Sequence, residues 1–350
     1  MNLHAKSRSS CPDDMPRIRI NSETPIHVET GTSILDAASA ASIQLPYSCK
    51  TGRCGTCKCK LIAGTTTATL PETGLSDAEK AAGWILSCVR TAQADLVIEA
   101  ETLGDIALPA ARTLPCKIAA LDRPAADVLR LRLRLPPTQA FAFLPGQYIE
   151  LIGRDGLRRS FSLANAPAPG GELELHVRAI DGGRMSRYLF DEAKVGDLLR
   201  LHGPLGTFFL RDIADRALVF LATGTGIAPV KAMLESLPEL DIASRPRSVA
   251  VYWGGRARDD LYLDIPGMRG DPRYIPVLSR ADAAWDGARG HVQDVFLASQ
   301  PDLANVTVYA CGSDAMIHSA RAALLHAGLE QRQFHSDAFV CSALPIAPEP

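Results

Sequence analysis

No apolar run in this 350-residue sequence approaches the roughly 20 residues that a membrane-spanning helix needs. Nor is one charge in excess: 37 Lys and Arg balance 39 Asp and Glu, which speaks against a nucleic-acid or membrane-surface binder. Internal repeats and low-complexity segments are also missing. The first residues, 1–15, are polar and lack the apolar core of a signal peptide, so they are expected to form a mobile tail on a cytoplasmic protein. Disulfides are rare in that compartment, and the nine cysteines therefore need another explanation. Apolar residues at 47% and charged residues at 22% are those of an ordinary globular protein, long enough for two or three domains.

Three segments differ in texture. From 16 to 101 the pattern is strand, turn, strand, helix, then a loop rich in Gly and Cys. Arg17 to Ile20, Pro25 to Glu29 and Asp95 to Ala100 are expected strands, and Ile34 to Ala41 a short helix capped by Thr32 or Ser33. A linker is expected over 102–113. From 114 to 213 the chain reads as β-rich. In Val128 to Leu135, four leucines alternate with Arg130, Arg132 and Arg134, which implies one buried and one wet face. The arginine row is either a solvated face or a binding patch. Tyr148 to Ile152, Ser160 to Asn165 and Leu173 to Ala179 are further strands, and the Gly/Pro turns between them suggest an antiparallel barrel. From 214 to 343, strands at 217–222, 248–253, 274–278 and 306–310 alternate with helices at 228–236, 291–298 and 313–327. That alternation implies a doubly wound parallel sheet. A Pro-rich tail, 344–350, follows.

The cysteines are clustered. Cys49, Cys54 and Cys57 have the spacing C-x4-C-x2-C, and Cys88 follows after thirty intervening residues. This is the plant-type 2Fe-2S spacing: two ferric ions need four thiolates, and a tight loop brings three to one side. Gly52 and Gly55 permit the positive φ angles of such a wrap and let N–H groups approach the sulfurs. A zinc site or redox disulfide would use the same residue type, but zinc sites usually come as two C-x2-C pairs. Cys59 is expected to be a small buried residue, and Cys11, Cys116 and Cys341 have no partner pattern. Lys50, Arg53, Lys58 and Lys60 surround the loop, with no acid between Cys49 and Leu61. They are either solvated cations or a docking face for an acidic acceptor protein.

Arg159-Ser160-Phe161-Ser162 resembles the R-x-Y-[ST] flavin motif of the ferredoxin reductase superfamily, with Phe161 where Tyr is usual. With Tyr47-Ser-Cys-Lys-Thr-Gly52, Arg158 to Pro167, Tyr309-Ala-Cys-Gly-Ser313 and Ser336 to Val340, it makes the chain similar, over about 16–343, to ferredoxin-reductase-type electron-transfer flavoproteins with an N-terminal ferredoxin domain. The fold this implies is a β-grasp ferredoxin domain, an antiparallel β-barrel flavin domain and a doubly wound nicotinamide-nucleotide domain. The resemblance implies FAD held by Arg159 at its pyrophosphate, with Phe161 on the isoalloxazine and Ser160 and Ser162 at its edge. His176, Val177 and Arg178 would line the adenine side, and Gly183, Met185 and Ser186 would open a helix toward a phosphate. His202 to Phe209 looks like a loop at the domain junction.

Thr223-Gly224-Thr225-Gly226, with Pro229 beyond it, sits where a buried strand enters a helix, and its glycines let a nucleotide approach the backbone. Gly254 and Arg256 follow the second strand, where such folds read the adenine ribose. Arg256 or Arg258 could accept a 2′-phosphate, and Asp259 or Asp260 ribose hydroxyls, so NADH is expected with NADPH open. By the resemblance, Cys311, Gly312, Ser313 and Met316 border the nicotinamide, and Asp337 and Phe339 stand by the flavin. Ser162, Cys311 and Phe339 are the residues expected at the reacting atoms. The implied function is an NAD(P)H-dependent reductase that passes electrons through FAD and a 2Fe-2S cluster to an acceptor protein. That acceptor would be a pyridoxamine-phosphate sugar dehydratase or an oxygenase component. A non-enzymatic cluster- or metal-bearing regulator is the remaining alternative.

Overall fold

A computed structural model describes residues 15–21, 23–153, 155–268 and 271–339. The expected tails, apart from Met15, lie outside these residues, as do Cys11, Cys341 and Val340. The chain divides into two compact units, one ending at Ala107 and the other beginning at Leu108.

The first unit contains β1 (Arg17–Ile20), β2 (Ile26–His27), α1 (Ile34–Ala40), β3 (Lys58–Ala63), β4 (Thr66–Ala68), α2 (Asp77–Ala81), β5 (Trp84–Leu86), β6 (Arg90–Ala92) and β7 (Leu96–Glu99). Five strands form one sheet in the order β2-β1-β7-β3-β5, and β4 pairs with β6. The central pair β1 and β7 is parallel, and the remaining pairs are antiparallel, which is the β-grasp arrangement. Period two in β1 sends Ile18 and Ile20 into the core and Arg17 and Arg19 to solvent. Ser33 starts α1 by accepting the Asp36 N–H, and Ile34, Leu35 and Ala38 pack into the same cluster as Ile18, Ile20 and Ile98.

The second unit begins with a six-stranded antiparallel sheet made of β8 (Arg112–Ala125), β9 (Val128–Arg134), β10 (Tyr148–Ile152), β11 (Arg158–Ser162), β12 (Glu172–Arg178) and, after the short α3 (Arg184–Arg187), β13 (Leu198–Leu205). The order is β11-β10-β13-β8-β9-β12, and the two edges meet at a Leu163–Leu175 bridge, so the sheet closes into a barrel. Leu129, Leu131 and Leu133 fill it together with Leu173, Leu175 and Ile149. The arginine row is ion-paired more than free: Arg130 donates twice to Asp122, and Arg134 pairs with Glu172, leaving Arg132 on the wet face.

Two expectations need correction here. The linker is shorter than 102–113, because Leu103 is buried with its N–H on the Gln44 carbonyl, and Arg112 and Thr113 already pair with Gly203 and His202. The segment His202 to Phe209 is not all loop, since β13 runs through Leu205. In the closing strands β8 and β13 burial alternates in the first half and is lost in the second. Pro115 and Pro124 interrupt β8, and two register shifts bend it, so one strand can serve both ends of the barrel.

The unit continues with β14 (Ala217–Thr223), α4 (Ile227–Ser236), β15 (Ser248–Gly255), β16 (Arg273–Leu278), β17 (Ala288–Arg289), α5 (Val292–Ala298), β18 (Val306–Ser313), α6 (Asp314–His326) and β19 (Phe334–Phe339). All six strands are parallel, in the order β17-β16-β15-β14-β18-β19. Strand β14 is apolar throughout its middle because both of its faces are covered. Strand order reverses at β14, whose neighbours β15 and β18 lie on opposite sides; ligands of such sheets bind outside the carboxyl ends at this point.

Candidate functional site

The loop before β3 and the turn after β5 bring the four expected thiol ligands together in two pairs. Cys49 is hydrogen-bonded to Cys54, and Cys57 to Cys88. Within each pair the partner's S–H holds one sulfur below its usual thiol pKa, lowering Cys49 and Cys88, while Cys54 and Cys57 are raised. Main-chain N–H groups add to this: Thr51 donates to Cys49 Sγ at 3.4 Å, and Gly52 to Cys88. Gly52 has φ +77°, and a Cβ there would lie 2.5 Å from the Pro71 carbonyl oxygen, so the wrap tolerates no side chain. No group of three or more His, Cys, Asp or Glu that could hold a single metal ion exists among the described residues. Two thiol pairs with N–H donors around them fit a two-iron cluster, which needs two thiolates per iron. Cys59 is buried in β3 opposite Ile85, where burial pushes its thiol up to about 12.

The basic residues round this loop are less available than their sequence suggests. Lys58 is 8% exposed and paired with Glu79 at 2.6 Å, and its ammonium lies over the Trp84 ring. Lys50 pairs with Asp36 at 2.9 Å, and Lys60 lies 5.3 Å from the Trp84 centroid. Of the four cations round the loop, Lys50 and Lys58 are thus already matched by acids, and Lys58 and Lys60 lie by the Trp84 ring.

In the barrel, β11 carries the flavin-motif residues. Arg159 lies opposite Leu151 and Phe161 opposite Ile149, so they share a face; Ser160 and Ser162 share the other with Glu150 and Tyr148. Phe161 packs on the barrel core with part of its ring exposed, while Ser162 is buried. The Arg159 guanidinium donates to the Arg158 carbonyl at 2.7 Å and has no carboxylate partner among the described residues. A guanidinium without a counter-charge beside a half-exposed ring fits a group with a pyrophosphate and an aromatic system.

The neighbouring expectations fare differently. His176 has both ring nitrogens occupied, Nε2 by Glu174 at 2.9 Å and Nδ1 by the Tyr262 hydroxyl at 3.1 Å. Burial lowers its pKa against the pull of Glu174, and the ring ties the barrel strand to Tyr262. The side chains of Val177 and Met185 belong to the barrel core, and Ser186 Oγ accepts the Ile180 N–H. Gly183 caps α3 with no side-chain bond, which leaves main-chain donors as the contribution of this segment. Arg178 lies 3.3 Å from both Asp127 and Asp260, beside the Gly224 turn.

The carboxyl ends of β14, β15, β18 and β19 gather the nucleotide residues. A Cβ on Gly226 would stand 2.2 Å from the Cys311 carbonyl oxygen, and one on Gly312 would stand 2.2 Å from Thr223 Oγ1. These two glycines let two loops touch each other, in addition to any approach by a ligand. Ser313 caps α6 by accepting the Met316 N–H, and donates its own N–H to Thr223. Thr225 and Pro229 are buried in the turn and first helical turn, and Gly254 is packed between Thr223 and Val292. Backbone so closely packed at a strand-order reversal fits a dinucleotide.

Three residues depart from their expected parts. Asp260 accepts the N–H groups of Arg256 and Ala257; although burial would raise its pKa, these donors and the Arg256 guanidinium hold it lowered. It is spent on its own turn, while Asp259 and Arg256 are exposed beside it. Cys311 is fully buried, and burial with the nearby Asp337 pushes its thiol well up, so it presents main chain and not a reactive sulfur. Asp337 is itself buried in register with Cys311. Phe339 ends β19 opposite Ser313, partly exposed against the core cluster that contains Cys311.

One cluster has no counterpart in the sequence reading. Lys231 of α4 reaches Glu174 at 3.1 Å, Glu235 at 2.7 Å and the Ala164 carbonyl at 2.9 Å, joining the barrel to the parallel-sheet domain. Its signals were Glu174 and His176 two apart on one strand face, and Lys231 and Glu235 four apart on a helix.

A thiol-paired loop, a barrel with an arginine lacking a carboxylate partner beside a partly exposed ring, and a parallel sheet with a glycine-packed switch point together define an iron–sulfur flavoprotein reductase. Family models match in the same order: a 2Fe-2S iron-sulfur cluster binding domain over residues 18–93, an oxidoreductase FAD-binding domain over 115–210 and an oxidoreductase NAD-binding domain over 220–322. A relative from Yersinia pseudotuberculosis serotype I, the CDP-6-deoxy-L-threo-D-glycero-4-hexulose-3-dehydrase reductase, is 42% identical over 330 residues, covering 93% of this chain and 98% of its own. The ferredoxin–NAD(P)(+) reductase component of the naphthalene 1,2-dioxygenase/salicylate 5-hydroxylase systems of a Ralstonia species is 32% identical over 91% of this chain and 97% of its own. Among solved structures, the Amycolatopsis cytochrome P450 reductase GcoB matches with TM-score 0.71 and 30% identity, over 94% of this chain and all of that one. The chain belongs to the ferredoxin-reductase-type family of NAD(P)H-dependent oxidoreductases with an N-terminal 2Fe-2S domain. Its cofactors are a 2Fe-2S cluster, FAD and a nicotinamide nucleotide, and its partners are NAD(P)H and an electron-accepting protein. No helix among the described residues is long and apolar enough to cross a membrane.

Proposed function

We propose that this chain is the reductase partner of a CDP-6-deoxyhexulose 3-dehydrase, a pyridoxamine-phosphate enzyme, and works in the cytoplasm. The observation that carries this choice of acceptor is the 42% identity to such a reductase across almost the full length of both chains, against 32–34% for the oxygenase reductase components. Bound in place, the cofactors take a hydride from the nicotinamide and release its two electrons singly.

The protein's part in this is binding and placement. Cys49 with Cys54 and Cys57 with Cys88 supply the four thiolates, one pair for each iron. Arg159 would pair with the flavin pyrophosphate, Phe161 would lie against the ring system, and Ser162 would offer its hydroxyl to the ring edge, with Ser160 nearby. Main-chain donors at Gly183, Met185 and Ser186 face a phosphate. Thr223 to Gly226, Gly254, Arg256 and Cys311 to Ser313 form the nucleotide bed, with Met316 at its α6 side. Phe339, at the end of β19 opposite Ser313, would stand by the flavin. NADH is the preferred donor in this reading.

The test is reconstitution. Purified reductase, a CDP-6-deoxyhexulose 3-dehydrase and the CDP-sugar should give 3-deoxygenated product with NADH consumed in step. Rapid NADH reduction of the flavin without any product, together with turnover when an aromatic-ring oxygenase is supplied instead, would move the assignment to the oxygenase group.

A further inference from the structure

We propose that Glu72 is a positioning residue for the iron–sulfur cluster, acting through the turn between β5 and β6 that carries Cys88; this rests on the four-cysteine ligand set proposed above. Between α2 and β4 the chain turns through Pro71 to Gly74, and this turn lies directly on the cysteine loop. Gly74 donates its N–H to the Gly52 carbonyl at 3.0 Å, and a Cβ on Gly55 would stand 2.9 Å from the Gly74 carbonyl oxygen. From that turn the Glu72 side chain, 5% exposed, enters the interior.

Its two oxygens have different partners. Oε1 accepts the Leu86 N–H at 2.7 Å, and Oε2 accepts from Arg90 Nη2 in an ion pair. Leu86 stands two residues before Cys88, and Arg90 two residues after it. A single carboxylate therefore grips both flanks of the fourth ligand from a turn packed on the loop that holds the other three. Arg90 is anchored in turn by Thr66 Oγ1 at 3.1 Å, and Ser87 donates to the Cys57 carbonyl from both its N–H and its hydroxyl at 3.1 Å.

A neutral amide could accept the Leu86 N–H equally well. A buried carboxylate is costly unless matched by a cation, so the charge pair needs a further reason. Fixed charges near a cluster set its reduction potential, together with hydrogen bonds and solvent access. The pair as built is electrically balanced, so removing either member leaves an unmatched charge beside Cys88. Glu72→Gln leaves Arg90 unmatched and should raise the cluster potential. Arg90→Gln leaves the carboxylate unmatched and should lower it.

The experiment uses the full-length holoprotein and follows the cluster by redox titration with electron paramagnetic resonance. Opposite shifts in the two variants are the expected result, with iron release to a chelator about tenfold or more faster in Glu72→Gln. The double variant should return toward the wild-type potential. Reduction of the flavin by NADH is an internal control and should not change. Shifts of the same sign, or no shift with two irons per chain retained, would overturn the proposal. Arg90→Lys, which keeps the charge, extends the test should either Gln variant fold poorly: a potential displaced as far as in Arg90→Gln would equally overturn it. Cys88→Ser separates the two readings, because full retention of a native-type cluster there would remove the ligand set itself.

Discussion

Replacing Lys231 by Met puts the seam between the barrel and the parallel-sheet domain under direct load. Lys231 sits between Glu174 at 3.1 Å and Glu235 at 2.7 Å, and the side chains of Lys231 and Glu174 are 15% and 16% exposed. Burial raises the Glu174 pKa, but the His176 bond and the Lys231 charge prevail and hold it at about 2, against 4.5 unperturbed. A depression of that size corresponds to about 3 kcal/mol at neutral pH. It agrees with the ~3–5 kcal/mol typical of breaking a buried pair by removing one partner. Because the folded pKa is the lower one, this stability is present above about pH 4.5 and is lost as pH falls toward 2. Urea unfolding of Lys231→Met, followed by the fluorescence of Trp253 and Trp285, should show second-unit destabilisation of about 2–3 kcal/mol at pH 7 that shrinks below pH 4.5. Adding Glu174→Gln should recover part of the loss, since the unmatched charge goes with it. A variant within about 0.5 kcal/mol of wild type at pH 7 would refute the reasoning.

Further outcomes are expected elsewhere. Gly226→Ala drives a Cβ to 2.2 Å from a backbone oxygen that cannot swing away, so it should cost about 1–3 kcal/mol and slow NADH reduction of the flavin, measured by urea unfolding and stopped-flow absorbance. Arg159→Ala should weaken FAD binding by about tenfold or more in a fluorescence titration of apoprotein, while leaving iron content unchanged. Cys311→Ala should leave hydride transfer within a few-fold of wild type, because the buried thiol presents only its main chain; a loss of a hundredfold in single-turnover kinetics would restore it as a reacting group.

What could be seen in advance depended on how local its cause was. The leucine alternation of β9 and the spacing of Cys49, Cys54 and Cys57 are set by neighbours in the chain, and both translate directly into structure. The same holds for β14, whose unbroken apolar run reflects cover on both faces. Strands β8 and β13 were hidden because Pro115, Pro124 and Pro204 sit where the barrel tolerates bulges and edges, so local propensity argues against what closure requires. The bond of His176 to Tyr262 was not visible in advance because its partner lies 86 residues away. Asp260 looked like a ribose acceptor until the turn it closes became visible. Glu72 was overlooked for a related reason: Pro71-Glu-Thr-Gly74 has the composition of an ordinary turn, and only the fold brings it against the residues that flank Cys88.

The most direct measurement is an anaerobic titration of the purified protein with NADH, followed by visible absorbance and by electron paramagnetic resonance. Bleaching of a flavin band, together with a rhombic resonance integrating to one spin per two irons, is expected. A colourless preparation that contains zinc in place of iron and does not respond to NADH would contradict the assignment at its root.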